Sequence, residues 1–294
     1  MFANRQHFVV PLPGGRALEL GPRTLVMGIL NVTPDSFADG GLRFDPERAI
    51  ADGRRMIDDG ADIVDVGGES TRPGAAPVSA EDELRRVLPV VRGLAARGRV
   101  PISIDTYKAV VAREAVAAGA SIVNDISGLQ YDLDLGRAMA DTGAAVILMH
   151  TRGRSSQMYE LAVYADVVRE VRAELQAAVD RAVAAGVRPE SIIVDPGFGF
   201  AKRAEHSYAA LAGLPEFAAL GRPILSGPSR KSFLQLAIGE RPPPGREWAT
   251  AAAVTASVLL GAHIVRVHAV REMADVVRVA DQVRGTGSLR HLSP

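Results

Sequence analysis

The chain lacks cysteine altogether, and this absence excludes both disulfide bonds and metal sites built from thiolates. It also fits a reducing cytoplasm, where we expect the protein to be located. The formal net charge is zero, because 34 basic residues balance 34 acidic ones. The overall charge therefore does not predict binding to nucleic acid. No apolar run approaches the roughly 18 residues of a membrane span, and Met1–Val10 has no continuous apolar stretch typical of a secretory signal.

Short apolar runs that end in polar residues are the main feature that is present. With 47% hydrophobic residues over 294 positions, the chain can bury a large core, and a single α/β barrel commonly has this length. The run Ile102–Ile104 ends before Asp105, for example, and Ile192–Val194 ends before Asp195. Repeated strand ends of this kind place polar side chains at one edge of a sheet and predict a shared pocket.

Alanine-rich segments with helical periodicity lie between the apolar runs, and they often end at glycine, which readily forms a left-handed cap. The alternation of strand and helix predicts a parallel sheet with right-handed crossovers. About eight repeats favour an α/β TIM (β/α)8 barrel over an open doubly wound sheet, which stays the alternative. The predicted helices are Pro46–Asp59, Ala80–Ala96, Lys108–Ala118, Tyr159–Ala185, Tyr208–Ala219, Phe233–Ile238, Ala249–Leu260 and Val270–Val283.

The two ends of the chain differ from these repeats. Val9–Leu20 places proline and glycine between short apolar runs, which predicts a β-hairpin over the amino-terminal end of the barrel. We expect a single domain over residues 1–294, with the hairpin within 1–22 and a tail over 285–294.

Asp105, Asn124 and Asp195 are candidate ligand-binding residues because each directly follows an apolar run. A carboxylate at the pocket floor accepts N–H bonds from a heterocycle, and an amide both donates and accepts. Asp105 has a second interpretation as a cap of the helix that begins near Lys108. That interpretation is weaker for Asp195, because a Pro-Gly-Phe-Gly run follows it instead of a helix.

Cationic residues follow other strands. Lys231 comes after a loop of small residues whose N–H groups can face a ligand, whereas Arg72, Arg266 and His268 suit a phosphate or pyrophosphate. Taken singly, each cation is more often an exposed surface residue. Alternation along the strand points Arg266 and His268 into the barrel and Val267 toward the helices, and a buried polar stripe is costly unless it is used.

Three further features are less decisive from the residues alone. Asn31 at a strand end offers an oxygen to Mg²⁺, which keeps several waters and takes other ligands from phosphates, or it simply forms a turn. His150 has no second histidine at ligand spacing, so we interpret it as a hydrogen-bonded core residue. The run Gly197–Phe200 lacks the G-x-G-x-x-G spacing, which excludes a dinucleotide-binding loop.

The ordered motifs of nearly the whole chain resemble those of the dihydropteroate synthase family. This resemblance implies a TIM barrel, usually a homodimer, that joins 6-hydroxymethyl-7,8-dihydropterin diphosphate to p-aminobenzoate and releases pyrophosphate with Mg²⁺. The motifs are Met27–Phe37, Glu69–Gly74, Ser103–Thr106, Asn124–Gly128, Leu148–His150, Asp195–Phe200, Ser229–Ser232 and Arg266–His268.

The resemblance also implies roles for individual residues, with Asn31 at the metal and Arg266 and His268 on the diphosphate. The residues implied around the pterin are Asp105, Asn124, Asp195 and Lys231, with Met149 and Val267 as further substrate-binding residues. Those implied at the p-aminobenzoate end are Phe37, Thr71, Arg72, Pro73, Phe200 and Ser232. Because a neutral arylamine is already a nucleophile, Mg²⁺, Arg266 and His268 are expected to assist departure of pyrophosphate, and Asp105 and Asp195 to stabilise a pterin cation.

The chain departs from the family pattern in two places, at Thr151–Gly153 after His150 and at Ala269 after His268. The first leaves the contacts of that loop open, and the second removes an aspartate that is common beside the histidine. A pterin-binding methyltransferase of the corrinoid type is the nearest alternative, but it needs neither the Arg-x-His pair nor the Ser-Arg-Lys-Ser loop. A catalytically silent pterin-binding paralogue is the alternative from a different functional class.

Overall fold

Within the part of the chain that the structure describes, eight parallel strands form one sheet that closes into a barrel. The computed structural model describes residue 2 and residues 5–33, 45–70, 77–154 and 157–289. The first barrel strand pairs with the last, and a bridge between Val194 and Ile224 joins the two remaining edges. The TIM barrel prediction is thereby confirmed. The barrel strands are β3 (Leu25–Asn31), β4 (Ile63–Gly67), β5 (Ile102–Asp105), β6 (Ile122–Asp125), β7 (Ala145–Met149), β8 (Ile192–Asp195), β9 (Leu225–Ser226) and β10 (Ile264–Val267).

Helices lie between the strands on the outside of the barrel. Several begin at a side-chain cap, since Asp45 accepts from the N–H groups of Glu47 and Arg48, and Ser79 accepts from that of Asp82. Among the described residues, no helix is both long and apolar enough to cross a membrane. The helices are α1 (Pro46–Asp58), α2 (Ala80–Ala95), α3 (Ala109–Ala117), α4 (Leu135–Thr142), α5 (Val167–Ala184), α6 (Ala204–Ala212), α7 (Gln235–Ile238), α8 (Glu247–Leu259) and α9 (Val270–Leu289).

The apolar core has two layers because successive strand residues face opposite sides of the sheet. One layer fills the space between barrel and helices, and the other lies inside the barrel around Met27 and Ile63. The hairpin predicted from the sequence forms from β1 (Phe8–Pro11) and β2 (Ala17–Leu20). Its buried residues, Val10, Leu12, Leu18 and Leu20, join the inner layer, so the hairpin covers one end of the barrel and leaves the carboxyl end for a site.

Some helix bounds differ from the sequence prediction. Helix α5 begins at Val167 and not at Tyr159, because Asp166 caps it by accepting from the N–H of Arg169. The bounds of the helix predicted over Tyr208–Ala219 are wrong, since α6 runs from Ala204 to Ala212 and a separate 3-10 segment follows Gly213, where Pro215 cannot continue the α-helix. Short helix α4 is not among the predictions. At the other end, α9 continues to Leu289, into the segment 285–294 that the sequence predicts as a tail.

Candidate active site

A cavity opens at the carboxyl ends of the barrel strands, and its volume is about 350 Å³ when the open solvent at its mouth is included. Strands β5 to β8 and β10, and the loops after β8 and β9, all contribute to it, as expected for parallel strands that end at one face. The structure therefore brings together the predicted site residues Asp105, Asn124, Met149, Asp195, Phe200, Lys231 and Arg266.

The guanidinium of Arg266 lies between two carboxylates inside the barrel. Its Nε donates to Asp65 at 2.6 Å, and its Nη2 donates to Asp105 at 2.7 Å. Asn124 donates from Nδ2 to the same Asp65 oxygen at 3.0 Å. Asp65 is fully buried and is absent from the sequence predictions. The sequence feature that could have identified Asp65 is a single carboxylate within an apolar strand. Alternation along the strand places it on the same face as Ile63.

The pKa values of the two carboxyl groups that line the cavity, Asp105 and Asp195, are both raised. Burial raises the pKa of Asp105 to about 7, although Arg266 opposes this shift. Burial also raises the pKa of Asp195, while the N–H of Gly197, which donates to Asp195 at 2.8 Å, opposes it. The cap interpretation of Asp105 does not describe its contacts, because its carboxylate binds Arg266. Both groups thus have an energetic preference for a ligand that supplies positive charge or N–H donors.

Lys231 contributes an ammonium to the same cavity. Its Nζ donates to the carbonyl oxygen of Phe198 at 3.1 Å and lies 3.8 Å from the centre of the Phe200 ring. Burial lowers the pKa of Lys231 to about 7, while Asp195 and Asp105 oppose this shift. A cation next to an aromatic ring and facing two carboxyl groups can bind a ligand that carries both donors and acceptors.

The remaining described candidates lie around this cavity without lining it. His268 binds Ser229, whose Oγ lies 2.9 Å from its Nδ1, so the Ser-Arg-Lys-Ser loop supplies the partner that Ala269 does not. Ser232 is exposed at the start of a 3-10 turn. Val267 packs in the layer between barrel and helices, so its side chain faces away from the cavity and only its backbone could take part in binding. Four further candidates, Phe37, Thr71, Arg72 and Pro73, lie outside the described residues.

His150 is a hydrogen-bonded core residue, as interpreted from the sequence. Its Nε2 lies 2.9 Å from Glu174 on α5, and its Nδ1 lies 2.7 Å from the Nζ of Lys202. Burial lowers the pKa of His150 to about 4, so the ring is neutral. Arg152 contacts the same Glu174 carboxylate, which shows that the divergent Thr151–Gly153 loop is tied to α5.

The side-chain oxygen of Asn31 fits only a metal ion that is already bound to other ligands, such as the phosphates of a substrate. Asn31 is partly buried at the end of β3 and offers one neutral oxygen. Among the described residues, no group of three or more His, Asp or Glu side chains is arranged to hold a metal. Mg²⁺ commonly binds one or two protein oxygens together with substrate phosphates and water. These residues therefore fit Mg²⁺ carried by a diphosphate and do not fit a permanent metal centre.

Comparison with known proteins agrees with this geometry. A model of the family described as "Pterin binding enzyme" matches residues 27–268. The chain is 48% identical to a dihydropteroate synthase of Synechocystis sp., over 94% of this chain and 96% of that protein. It is 52% identical to a dihydropteroate synthase of Mycobacterium leprae, over 86% of this chain and 91% of that protein. The structure is also similar to dihydropteroate synthase from Xanthomonas albilineans with 4-aminobenzoic acid, with a TM-score of 0.86, 42% identity and coverage of 94% of this chain and 98% of that one.

Proposed function

The chain belongs to the dihydropteroate synthase family, and we propose that its cavity joins 6-hydroxymethyl-7,8-dihydropterin diphosphate to p-aminobenzoate with release of pyrophosphate. The observation that carries this proposal is the convergence of two carboxyl groups, an amide, an ammonium and a guanidinium on one cavity. The related structure that contains 4-aminobenzoic acid supports the choice of the second substrate.

The proposed pterin site follows from the donors and acceptors of the cavity. A pterin edge presents N–H donors beside a carbonyl oxygen and ring nitrogens. Asp105 and Asp195 accept from the N–H groups, Asn124 both donates and accepts, and Lys231 donates to the carbonyl oxygen or a ring nitrogen. Met149 lines the same cavity and provides apolar surface for the ring.

The proposed reaction breaks the bond between the pterin methylene carbon and the diphosphate oxygen, and the electron pair leaves with pyrophosphate. The arylamine nitrogen then forms a bond to that carbon and loses a proton. The carboxylates of Asp105 and Asp195 stabilise positive charge that develops on the ring before the new bond forms. Holding both substrates in one cavity contributes further, because their encounter becomes effectively unimolecular.

The diphosphate is proposed to leave toward Arg266 and His268. Asp65 and Asp105 orient the guanidinium of Arg266 before any substrate arrives, and Ser229 orients the His268 ring. In this proposal Mg²⁺, held in part by Asn31, supplies charge neutralisation of the pyrophosphate when it is bound. The proposed p-aminobenzoate end is completed by Phe37, Thr71, Arg72, Pro73, Phe200 and Ser232.

We further propose that the protein is a cytoplasmic homodimer. Apolar side chains on the surface of α8 and α9 support self-association, since Trp248 is 88% exposed and Val279 is 65% exposed. Sedimentation equilibrium of the purified protein tests this proposal, because a dimer has twice the 31.1 kDa mass of the chain.

The activity is tested by incubating the purified protein with the pterin diphosphate, p-aminobenzoate and Mg²⁺. We expect stoichiometric pyrophosphate and a product with the mass of 7,8-dihydropteroate. Omitting p-aminobenzoate separates coupling from simple hydrolysis. Pterin binding without pyrophosphate release would instead indicate a silent pterin-binding protein, and methyl transfer from a methylated pterin would indicate the methyltransferase.

A further inference from the structure

The segment between β8 and α6 forms much of the cavity without regular secondary structure. Gly197, Phe198 and Phe200 line the cavity, and Phe198 and Phe200 both contact the Lys231 ammonium. The backbone of this segment is left-handed at Gly197, Gly199 and Ala201, where φ is 69°, 76° and 47°. Such a segment needs contacts from outside itself to hold one conformation.

Lys202 supplies these contacts from a position outside the cavity lining. Its side chain is 1% exposed, and its Nζ donates to the carbonyl oxygens of Gly197 and Phe200, both at 3.1 Å. The third acceptor is Nδ1 of His150 at 2.7 Å. An ammonium has three N–H donors, so these three acceptors match it in number.

The hydrogen-bond directions along this network are mutually consistent when Lys202 is an ammonium, and burial lowers the pKa of Lys202 to about 7. Nδ1 of His150 can accept from Lys202 only when the neutral ring carries its proton on Nε2, and Nε2 then donates to Glu174. Arg152 holds the other side of Glu174. Lys202 therefore ties the segment after β8 to the loop after β7 and, through Glu174, to α5.

Lysine is rare in this chain, which contains three lysines among 34 basic residues, so its presence at position 202 is informative. Three acceptors that converge on one nitrogen suit a compact ammonium, whereas a planar guanidinium directs its donors along a fork. Arginine serves at nearly every other cationic position. The geometry at Lys202 thus requires three N–H donors on one nitrogen, which arginine cannot supply.

We propose that Lys202 is a positioning residue, which fixes the Gly197–Phe200 segment so that the Phe198 carbonyl and the Phe200 ring hold the Lys231 ammonium in the substrate cavity. This deepens the proposed function and rests on it for the identity of the ligand. Lys202 itself does not line the cavity.

The primary test is Lys202→Met, which keeps the unbranched side chain to within one atom of its length and removes all three donors. The probe is 6-hydroxymethylpterin, whose dissociation constant is measured by calorimetry, and we expect it to rise about tenfold. The second readout is a [¹³C]lysine NMR spectrum, in which the Lys231 signal should shift because the Phe200 ring moves. Asp281→Asn is the control: it disturbs the buried pair with Arg5, outside the cavity lining, and should change neither readout.

A pair of variants at His150 covers the case in which Lys202→Met does not fold. The Asn side chain of His150→Asn places an oxygen near the position of Nδ1 and keeps the acceptor for Lys202, whereas His150→Gln reaches only the position of Nε2. We expect near-normal pterin affinity for the former and weaker affinity for the latter.

Unchanged affinity and an unchanged Lys231 signal in Lys202→Met, with only a lower melting temperature, would overturn the positioning role. Equal affinities of the two His150 variants would overturn it as well. The NMR readout needs no turnover, so it separates this inference from failure of the proposed activity.

Discussion

Arg266 on the last barrel strand donates its Nε to Asp65 on the second barrel strand, 201 positions away in sequence, at 2.6 Å. Asp65 is fully buried, and its Oδ1 has no hydrogen-bond partner among the residues that the structure describes. A buried carboxylate that binds one guanidinium so closely orients that guanidinium before substrate binds. Arg266 is therefore preorganised, which supports its proposed role at the diphosphate.

Asp65→Asn should lower kcat/KM about 100-fold, because Arg266 loses a charged partner and its position becomes less defined. Steady-state kinetics with both substrates measures this effect. Asp58→Asn is the matched control, since Asp58 is 60% exposed on its side chain and pairs with Arg99, which is exposed as well. Such surface pairs contribute about 0–1 kcal/mol to stability. Equal kinetics of the two variants would contradict the orienting role of Asp65.

The pH dependence should reflect Asp105 and Lys231 together. Burial raises the pKa of Asp105 to about 7 and lowers that of Lys231 to about 7. Since the proposed site needs a carboxylate and an ammonium, kcat/KM should rise as Asp105 deprotonates and fall as Lys231 deprotonates, with a narrow maximum near neutral pH. A flat profile between pH 5 and 9, a range set by about two units on either side of these values, would contradict this assignment.

Asp105→Asn should remove the rising limb of that profile and lower kcat about 100-fold, because the amide cannot stabilise the pterin cation. Near-native turnover would exclude the charge-stabilising role. The same carboxyl group affects stability with a definite sign. Its folded pKa lies above its unfolded value, so its contribution is fully present below the unfolded pKa and is lost as the pH rises through about 7.

Gly197→Ala should destabilise the protein strongly. Its φ is 69°, and an added Cβ would lie 2.1 Å from the carbonyl oxygen of His150. Gly143→Ala is a matched control, because Gly143 has a φ of 66° but nothing within 4 Å of an added Cβ. We expect about 1 kcal/mol for the control and about 3 kcal/mol or more for Gly197→Ala, measured by urea unfolding. Equal losses would mean that the steric contact is relieved without cost.

Mg²⁺ should bind detectably only together with a diphosphate group. Calorimetric titration of the protein with Mg²⁺ alone should show no saturable binding at micromolar concentrations, and added pyrophosphate should restore it. Asn31→Ala should weaken the second titration and leave pterin affinity unchanged. Tight binding of Mg²⁺ alone would contradict a metal that arrives with the substrate.

Much of the fold and part of the site follow from local sequence. The alternating apolar and polar runs predict the barrel, because each β/α unit buries its own apolar face against its neighbours. Asp105, Asn124, Asp195, Lys231 and Arg266 are recognisable because each lies in or directly after a strand or small-residue loop, and all parallel strands end at one face. These inferences need only the neighbours along the chain.

Tertiary structure decided which of these groups pair with each other. The contact of Arg266 with Asp65, and that of Lys202 with His150, joins residues that are distant in sequence, and no local pattern encodes the partner. The helix interruption at Gly213 differs from these contacts, because Pro215 lacks the N–H that would continue α6 and is visible in the local sequence. By itself, the amino-acid order determined the barrel and the placement of polar groups at its rim, whereas only the closed barrel determined their partners and pKa values, because burial and opposing charge arise once distant strands are packed together.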